Sequence, residues 1–381
     1  MKRLQFGTAK CVKLHIGKTC NETLCSDLTV GSWKDRVETD DNTGECFQTE
    51  YFEGQVKMKV KDEQLYLGDI ISSDGKHEKN VHARKNKGLG IINQIMQILQ
   101  SLYFGKYYFE VAMVLRSSLL LSSLLLNSEA WTNLSESNIR ALEQTDEMLL
   151  SKILESEANT SNVFKYLELG IYPVRFEIIK RKIIFLQYIL QQKESTMVKV
   201  VFTATSENPL QNDFVDTCKK YLQTLKIDLT FEEIRQMSVY KFKKLVKQKT
   251  SEAAFEYLIK KKNSQSKIKD LEYRHLEIQE YLLEGNENTE VSKLIYKCRG
   301  KTLDIKTHKS WKYEDKLCVG CKTNVETENE LLACDGFGNE EEDQDTLSYN
   351  LVFSELVSDR IRVAKIIKKR IKTRQAILDN G

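Results

Sequence analysis

Proline and glycine are scarce in this sequence. Proline occurs only at Pro173 and Pro209 among 381 residues, and because proline is the usual helix breaker, long uninterrupted helices are expected. Seventeen glycines are too few for a glycine-rich repeat protein, and the sequence shows no fixed-period repeat. Apolar residues make up 41% of the chain, so it can bury a core and is not expected to be disordered throughout.

Long hydrophobic runs and a disulfide framework are missing as well. The longest apolar run, residues 111–126, contains Arg116 and four serines and is shorter than the ~20 residues that cross a bilayer, so we expect a buried helix. Residues 1–10 carry three bases and no apolar core, unlike a signal peptide. The nine cysteines are odd in number and scattered. These features predict an intracellular protein of the nucleus or cytoplasm, without membrane insertion.

An excess of charge is missing overall but not locally. The 58 Lys and Arg residues nearly balance the 55 Asp and Glu residues, which gives a net charge of +3. Residues 75–90, 241–270 and 359–374 are nevertheless strongly basic, and residues 326–345 hold nine acids and no base. Such segregation predicts local basic surfaces, with ordinary solvated helix faces as the alternative.

The first 72 residues have the pattern of strands and loops. Residues 12–16 and 56–60 alternate apolar with polar side chains, as half-buried strands do. Residues 65–72 are apolar and contain Gly68, which indicates a bulge or a close approach, and we expect this segment to pair as a strand with residues 56–60. Asp40 and Asp41 belong to a polar segment, 40–45, that predicts a solvated loop.

From about residue 76 the apolar spacing becomes helical. Ser135 or Ser137 is expected to cap one helix, Thr230 and Glu233 have the spacing of a capping box, and a further helix is expected at 291–298. Spacings of three and four residues place several apolar side chains on one helix face: Phe176, Ile179, Ile183, Leu186 and Leu190, and, in another helix, Ile139, Leu142, Leu149 and Ile153. The sequence therefore predicts a mainly α fold with a small α+β N-terminal part.

Several segments, taken in order, carry a resemblance. They are 9–18 (AKCVKLHIGK), 66–75 (YLGDIISSDG), 83–88 (ARKNKG), 127–134 (NSEAWTNL), 142–144 (LEQ), 167–173 (LELGIYP) and 318–321 (CVGC). In this order they resemble the part of non-LTR retrotransposon reverse transcriptases that lies downstream of the catalytic aspartates. The first is similar to the strand after the Asp-Asp hairpin, the second to the primer-grip hairpin, and the third to the entry into the thumb. The resemblance covers most of residues 1–334.

This resemblance implies a division of the chain. Residues 1–75 would be a palm remnant with a primer-grip-like hairpin, and 76–200 a thumb-like helical domain. Residues 201–317 would be a basic helical domain, 318–345 a degenerate cysteine motif with an acidic loop, and 346–381 a basic C-terminal helix. The N-terminal α+β part and the helices after it would thus be remnants of palm and thumb.

No catalytic residues are expected. Reverse transcriptases hold two Mg²⁺ ions about 3.5–4 Å apart with carboxylates, and the family's carboxylates would lie upstream of Ala9. Asp40 and Asp41 come after the strand rather than before it. The endonuclease that follows the cysteine motif in some lineages contains a Pro-Asp core, and no proline follows Pro209. We therefore expect a relative of RNA-directed DNA polymerases that does not polymerise DNA.

The cysteines near the C-terminus allow two interpretations. Cys318 and Cys321 have the spacing of half a zinc knuckle, and Cys334 lies where the family places its last cysteine. The family usually has histidine where this chain has Glu330. Zinc accepts a carboxylate oxygen, so Glu330 could complete the site, or His308 could replace it. The alternative is a degenerate motif of reduced thiols; zinc is the one cofactor that the sequence suggests.

Two groups of residues are candidates for binding nucleic acid. The resemblance assigns Tyr66, Leu67 and Gly68 of the primer-grip-like hairpin, with Arg84 and Lys85 at the entry to the thumb. In residues 241–269, lysines that can neutralise phosphates alternate with aromatics that can stack on bases. The candidates in that segment are Lys243, Lys244 and Lys247. Helical spacing favours a core position for its apolar residues: Phe242, Leu245, Val246, Phe255, Leu258 and Ile259.

Two functions from different classes follow. The first is a truncated, non-catalytic reverse-transcriptase-like protein that binds RNA or DNA through its thumb-like and basic helices. The second is a helical protein-interaction protein, or an unselected remnant of an element, with no role in nucleic-acid binding. The basic helix at 360–374 fits either, because it could contact nucleic acid, an acidic partner or the acidic segment before it. Neither function requires a membrane or a small-molecule substrate, and the sequence gives no oligomeric state.

Overall fold

The computed structural model describes residues 12–13, 29–39, 46–57, 59–60, 63–66, 68–72, 75–101, 107–132, 134–208, 210–283, 289–337, 348–354 and 356–380. The chain divides into two units, Met1–Ala83 and Arg84–Gly381. The first contains the described strands, and the second is helical. The predicted mainly α fold with a small strand-containing N-terminal part is therefore confirmed.

Six strands are described in the first unit. They are β1 (Val12–Lys13), β2 (Thr29–Thr39), β3 (Cys46–Lys57), β4 (Lys59–Val60), β5 (Glu63–Tyr66) and β6 (Asp69–Ser72). β2 and β3 form a long antiparallel pair, β5 and β6 form a second one, and β1 runs parallel to β4. The predicted loop residues Asp40 and Asp41 lie outside the described residues.

Residues 63–66 and 69–72 pair as a hairpin, whereas the apolar pattern predicted a single strand at 65–72 and the resemblance predicted a hairpin at 66–75. Glu63 pairs with Ser72 and Tyr66 pairs with Asp69. The chain reverses between β5 and β6 because Gly68 has a φ of +88°, a conformation that glycine adopts without steric cost. The expected pairing with residues 56–60 is wrong, since β3 pairs with β2 and β4 pairs with β1.

Helices account for most of the rest of the described chain. They are α1 (Glu78–Ser101), α2 (Tyr108–Leu115), α3 (Ser122–Leu124), α4 (Glu136–Leu154), α5 (Asn162–Glu168), α6 (Val174–Leu190), α7 (Met197–Glu207), α8 (Phe214–Thr224), α9 (Phe231–Gln236), α10 (Val239–Asn263), α11 (Glu280–Leu283), α12 (Thr289–Arg299), α13 (Glu328–Ala333) and α14 (Val357–Asn380). The predicted caps are present: Ser135 caps α4, and Thr230 with Glu233 forms a complete capping box on α9. No helix among the residues that the structure describes is long and apolar enough to cross a membrane.

The longest apolar run is helical, as predicted, but only partly buried, since Val114 is 62% and Leu119 is 37% exposed. α2 continues through a π-helical turn, Arg116–Leu121, into α3. Arg116 is tolerated in this run because its guanidinium donates two hydrogen bonds of 2.7 Å to the carboxylate of Asp146, which is itself buried. A buried charge needs such a partner to offset its desolvation.

The helical unit contains two hydrophobic clusters. The larger one collects side chains from α1 to α14, and the second one is built mainly from α6, α8 and α10. α10 contributes to both: Phe242 and Val246 pack in the second cluster, and Leu258 packs in the larger one. Its buried side chains recur every four residues: Phe242, Val246, Thr250, Ala254, Leu258 and Lys262. The apolar face predicted for α6 is also buried, from Phe176 to Leu190.

Candidate metal centre and basic surfaces

A tight turn positions the first two cysteines. A single antiparallel bridge joins Leu317 to Val325, and inside it the amide of Cys318 donates to the carbonyl of Asn324 at 2.7 Å. The amide of Lys322 donates to the carbonyl of Cys318 at 2.8 Å. This bond closes a turn that places Cys321 beside Cys318, and Lys322, with a φ of +59°, then turns the chain back toward Val325.

The other two candidate ligands come from α13 and its end. Thr327 caps this helix by accepting from the amide of Glu330, and Cys334 follows the last residue of the helix. The candidate ligand atoms of Cys318, Cys321, Glu330 and Cys334 all lie within 4.8 Å of one another. The cluster that the spacing predicted is therefore present in the fold.

The distances fit one metal ion. The sulfurs of Cys318 and Cys334 lie 3.6 Å apart, and the Cys321 sulfur lies 3.2 Å from Oε1 of Glu330. Four ligands at tetrahedral angles, about 2.3 Å from zinc, would be separated by about 3.7 Å. Asn324 donates to the other carboxylate oxygen of Glu330 at 3.1 Å, which orients the carboxylate. The donor set and the spacing fit a divalent metal of the zinc type.

Burial and backbone hydrogen bonds shift the pKa values of the thiols in opposite directions. Burial raises the pKa of the Cys318 and Cys334 thiols, that of Cys334 to about 12. Backbone amides of Gly320 and Cys321 act in the opposite direction on Cys318. The pKa of Cys321 is lowered by hydrogen bonds from Thr323 and from backbone amides. A metal ion would therefore displace protons from at least the two buried thiols.

His308 is not the fourth member of the cluster. Its Nε2 atom lies 2.7 Å from Oε1 of Glu328, and the imidazole is buried. The hydrogen bond from His308 lowers the pKa of Glu328. The structure thus places Glu330, and not His308, beside the three cysteines.

A buried ion pair fastens the cysteine turn to α14. Arg374 donates to the two carboxylate oxygens of Glu326 at 2.9 and 3.0 Å, and neither side chain is more than 1% exposed. Glu326 also accepts from the amide of Lys306 at 2.7 Å and from that of Val319 at 3.3 Å. Because Val319 lies between the first two cysteines, its hydrogen bond to the Glu326 carboxylate connects the metal-binding turn to the buried ion pair.

Further contacts bring the two halves of the cluster together. Arg370 of α14 donates to the carbonyl of Cys334 at 2.8 Å. The backbones of Gly320 and Gly336 touch: a Cβ atom on Gly336 would lie 2.5 Å from the carbonyl carbon of Gly320. Sequence reasoning missed this support, because its contacts join residues far apart in the chain. The one available signal was that Arg370 and Arg374 lie on the same helix face as the apolar residues Val363 and Ile367.

The lysines proposed for nucleic-acid binding lie on one exposed side of α10. Lys243, Lys244 and Lys247 are exposed and form no ion pair within the part of the chain that the structure describes. Phe242 is fully buried, so it is a core residue, as its spacing favoured. Tyr240, which the sequence did not single out, is 77% exposed beside these lysines. We call Tyr240, Lys243, Lys244 and Lys247 the lysine face.

The nucleic-acid-binding candidates taken from the primer grip and the thumb entry do not form an exposed group like the lysine face. Tyr66 and Gly68 belong to the hairpin of the first unit, and Leu67 lies outside the described residues. Arg84 and Lys85 belong to the second unit. Arg84 is buried and donates to the carbonyl of Ser123, so its guanidinium faces the protein interior.

The basic C-terminal helix is partly an internal element. Three of its arginines are buried: Arg360, Arg370 and Arg374. Lys368 pairs with Glu290. Lys365, Lys369 and Lys372 remain exposed. Much of its positive charge therefore stabilises the fold.

A polar cleft of 540 Å³ was also missed from the sequence. Arg175 donates to both carboxylate oxygens of Glu143, at 2.6 and 2.9 Å, and Arg140 donates to Glu147 at 2.7 Å. Burial raises the pKa of Glu147. Since these charged residues are matched in pairs, we assign the cleft no chemistry of its own.

Comparison of the chain with family models, with curated proteins and with solved structures gives no match. The resemblance of the segments 9–18, 66–75 and 318–321 to reverse transcriptases thus stays a prediction. The geometry of the cysteine cluster and the exposure of the lysine face are the observations from which a function is argued.

Proposed function

We propose that this chain is a non-catalytic, reverse-transcriptase-like protein that binds RNA or DNA and contains a structural zinc site. The lysine face carries the proposal. Lysines that pair with neighbouring carboxylates contribute little net positive charge to a surface, whereas Lys243, Lys244 and Lys247 have no such partner in the described chain. Unpaired lysines neutralise phosphates and release counterions, which drives binding of any sequence.

The exposed ring of Tyr240 adds a second type of contact. Tyr240 precedes Lys243 and Lys244 by three and four residues, so the three side chains are neighbours on one face of α10. Aromatic rings beside lysines offer stacking to bases while the ammonium groups contact the phosphates. This supports nucleic acid over an acidic protein, whose carboxylates do not require a stacking surface.

We further propose that the metal is zinc, held by Cys318, Cys321, Glu330 and Cys334. Zinc sites with four protein ligands are closed and stabilise folds, whereas catalytic zinc sites keep one position for water. The hydrogen bonds of Asn324 and of the backbone amides would orient these ligands. The zinc would hold the cysteine turn against α13, and thereby hold in place the surface on which α14 packs.

A salt titration tests the nucleic-acid proposal. The variant K243Q/K244Q/K247Q should bind a fluorescein-labelled single-stranded RNA more weakly. The slope of log K, with K the association constant, against log[salt] is negative, and it should become less steep by about 0.7 for each phosphate that is no longer neutralised. The matched control is K220Q/K226Q/K249Q, which removes three lysines that pair with Asp216, Glu256 and Glu252. An equal decrease in both variants, or no binding by the unaltered chain, would overturn the proposal.

Metal analysis tests the zinc proposal. The purified chain should contain one zinc ion, C318S should contain none, and E330H should retain it, because histidine is a good zinc ligand. Unaltered protein without zinc, even after refolding with added zinc, would show that the cluster is a set of reduced thiols.

One observation favours the second candidate, a protein-interaction role. Met197, Val200 and Val201 are 78%, 49% and 55% exposed on α7, at spacings that place them on one side of the helix. If this stripe is the functional surface, the chain should associate with itself or with a partner. Light scattering of the V200E variant would detect the loss of self-association.

A further inference from the structure

Trp311 is unusually exposed for a tryptophan. Its side chain is 64% exposed, although most of the surface of a tryptophan side chain is buried on average. The sequence has two other tryptophans, and of these Trp131 is 3% exposed. Trp311 lies in the turns that lead from α12 to the cysteine cluster, and nothing in its packing explains why a large aromatic ring stands at the surface.

A lysine from a distant part of the chain lies over this ring. The Nζ atom of Lys267, which follows α10, is 5.7 Å from the centroid of the Trp311 ring. The contact brings together two segments, 260–270 and 306–316, that carry nine lysines and three acids. Lys267 forms no ion pair among the residues that the structure describes. The ring therefore lies in a strongly basic surrounding.

Two acids near Trp311 in the sequence are paired. Asp304 contacts Lys309 at 3.5 Å and Lys312 at 3.2 Å, and Asp315 contacts Lys306 at 2.6 Å. Glu314 and Asp270 form no ion pair among the described residues, and neither is paired with Lys267, so the lysines of the two segments outnumber their acids. An anionic ligand would thus meet an unneutralised ammonium beside an accessible aromatic face.

From this juxtaposition we infer that Trp311 is a stacking platform for an unpaired base, with Lys267 contacting the neighbouring phosphate. The ligand class is single-stranded RNA or DNA, because in a duplex both faces of an internal base are covered by its neighbours. The inference rests on the proposed nucleic-acid-binding function and deepens it, since the lysine face alone does not distinguish single strands from duplexes. An apolar protein partner fits less well, because burying the ring would also bury the unpaired Lys267.

Substitution of the ring separates stacking from general hydrophobic contact. W311F keeps a π face and W311L does not, while both remain apolar. The probes are fluorescein-labelled (dT)20 and a 20-base-pair DNA hairpin, bound to the full chain. Stacking contributes about 1–3 kcal/mol per base, so W311L should weaken (dT)20 binding by about 5- to 150-fold. W311F should keep most of the affinity, and hairpin binding should change less than twofold in either variant.

Leu210→Ala is the matched control for exposure. Leu210 is 72% exposed and lies outside both lysine-rich segments, so its truncation should leave (dT)20 binding unchanged. Tryptophan emission gives an independent readout: (dT)20 should quench the emission of the unaltered chain, and this quenching should disappear in W311F although binding persists.

The outcomes distinguish this inference from the proposed function. If K243Q/K244Q/K247Q weakens binding and W311L does not, the stacking platform is wrong and the lysine face stands. If W311L alone weakens (dT)20 binding, the platform stands and the lysine face is wrong. Equal decreases on (dT)20 and on the hairpin would refute base stacking, and absence of binding to either probe would overturn both proposals.

Discussion

Removal of the Arg374 guanidinium is the most direct test of how α14 supports the cysteine cluster. In R374M the carboxylate of Glu326, which is fully buried, would keep two donors among the residues that the structure describes, the amides of Lys306 and Val319. Breaking a buried ion pair on one side typically destabilises a protein by about 3–5 kcal/mol, because one charge is left uncompensated. We expect a decrease of this size in the free energy of unfolding.

Urea unfolding followed by tryptophan emission measures this decrease. With an m-value of about 3 kcal/mol/M, the midpoint should fall by about 1–2 M. The control is K365M on the same helix, because Lys365 is exposed and its replacement should change stability by less than about 0.5 kcal/mol. The double variant E326Q/R374M should regain part of the stability, since glutamine leaves no uncompensated charge and its carbonyl oxygen can still accept from one of the two amides.

The same substitution should weaken the metal site. Arg374 orients the carboxylate of Glu326, which accepts from the amide of Val319 within the Cys318–Cys321 turn, and losing such an outer contact typically lowers metal affinity about 10- to 100-fold. Zinc transfer to a chromophoric chelator would measure this. If R374M unfolds within about 1 kcal/mol of the unaltered chain and releases zinc at the same chelator concentration, the ion pair does not hold the turn.

Three further outcomes are expected. G336A should lower stability by about 1–3 kcal/mol through overpacking against backbone, whereas G90A, where a Cβ meets nothing within 4 Å, should not destabilise α1 in thermal unfolding. Burial alone would raise the pKa of Glu177, but Lys180 and Arg181 on α6 lower this pKa overall. The ionised Glu177 therefore stabilises the fold above about pH 4.3, and this stabilisation is lost as the pH falls further. Between pH 5 and 3, the urea midpoint of E177Q should change less with pH than that of the unaltered chain. The chain should not extend a primer on poly-rA with Mg²⁺; incorporation abolished by Asp40→Ala and Asp41→Ala would show that these are metal-binding carboxylates.

The helices and the cysteine cluster could be predicted because their signals are local. The spacing of the apolar residues determines which face of α6 is buried, whichever element the helix packs against. Thr230 and Glu233 cap the start of α9, the helix to which they themselves belong. The candidate ligands lie between Cys318 and Cys334, so a short turn and one helix are enough to bring them together. These elements need no information about distant parts of the chain.

The rest depended on contacts that sequence spacing does not encode. Glu326 and Arg374 are far apart in sequence, and neither segment contains a pattern that predicts their pairing. The error at residues 65–72 has a similar cause: glycine in an apolar segment permits a bulge or a reversal, and only the φ of Gly68 distinguishes them. The exposure of Tyr240 and Trp311 could not be predicted from the sequence either, because aromatic residues are usually assigned to the hydrophobic core.

The four-residue recurrence of buried side chains on α10 has a geometric consequence. Four residues turn an α-helix by about 400°, so each step moves the buried stripe about 40° around the axis, and the five steps from Phe242 to Lys262 move it by about 200°. The side of the helix that faces the protein interior at Phe242 therefore faces solvent near the other end: Lys260, 18 residues and five full turns later, points in the same direction as Phe242 but is exposed. The packing partners of α10 change sides along its length, which allows this single helix to contribute to both hydrophobic clusters.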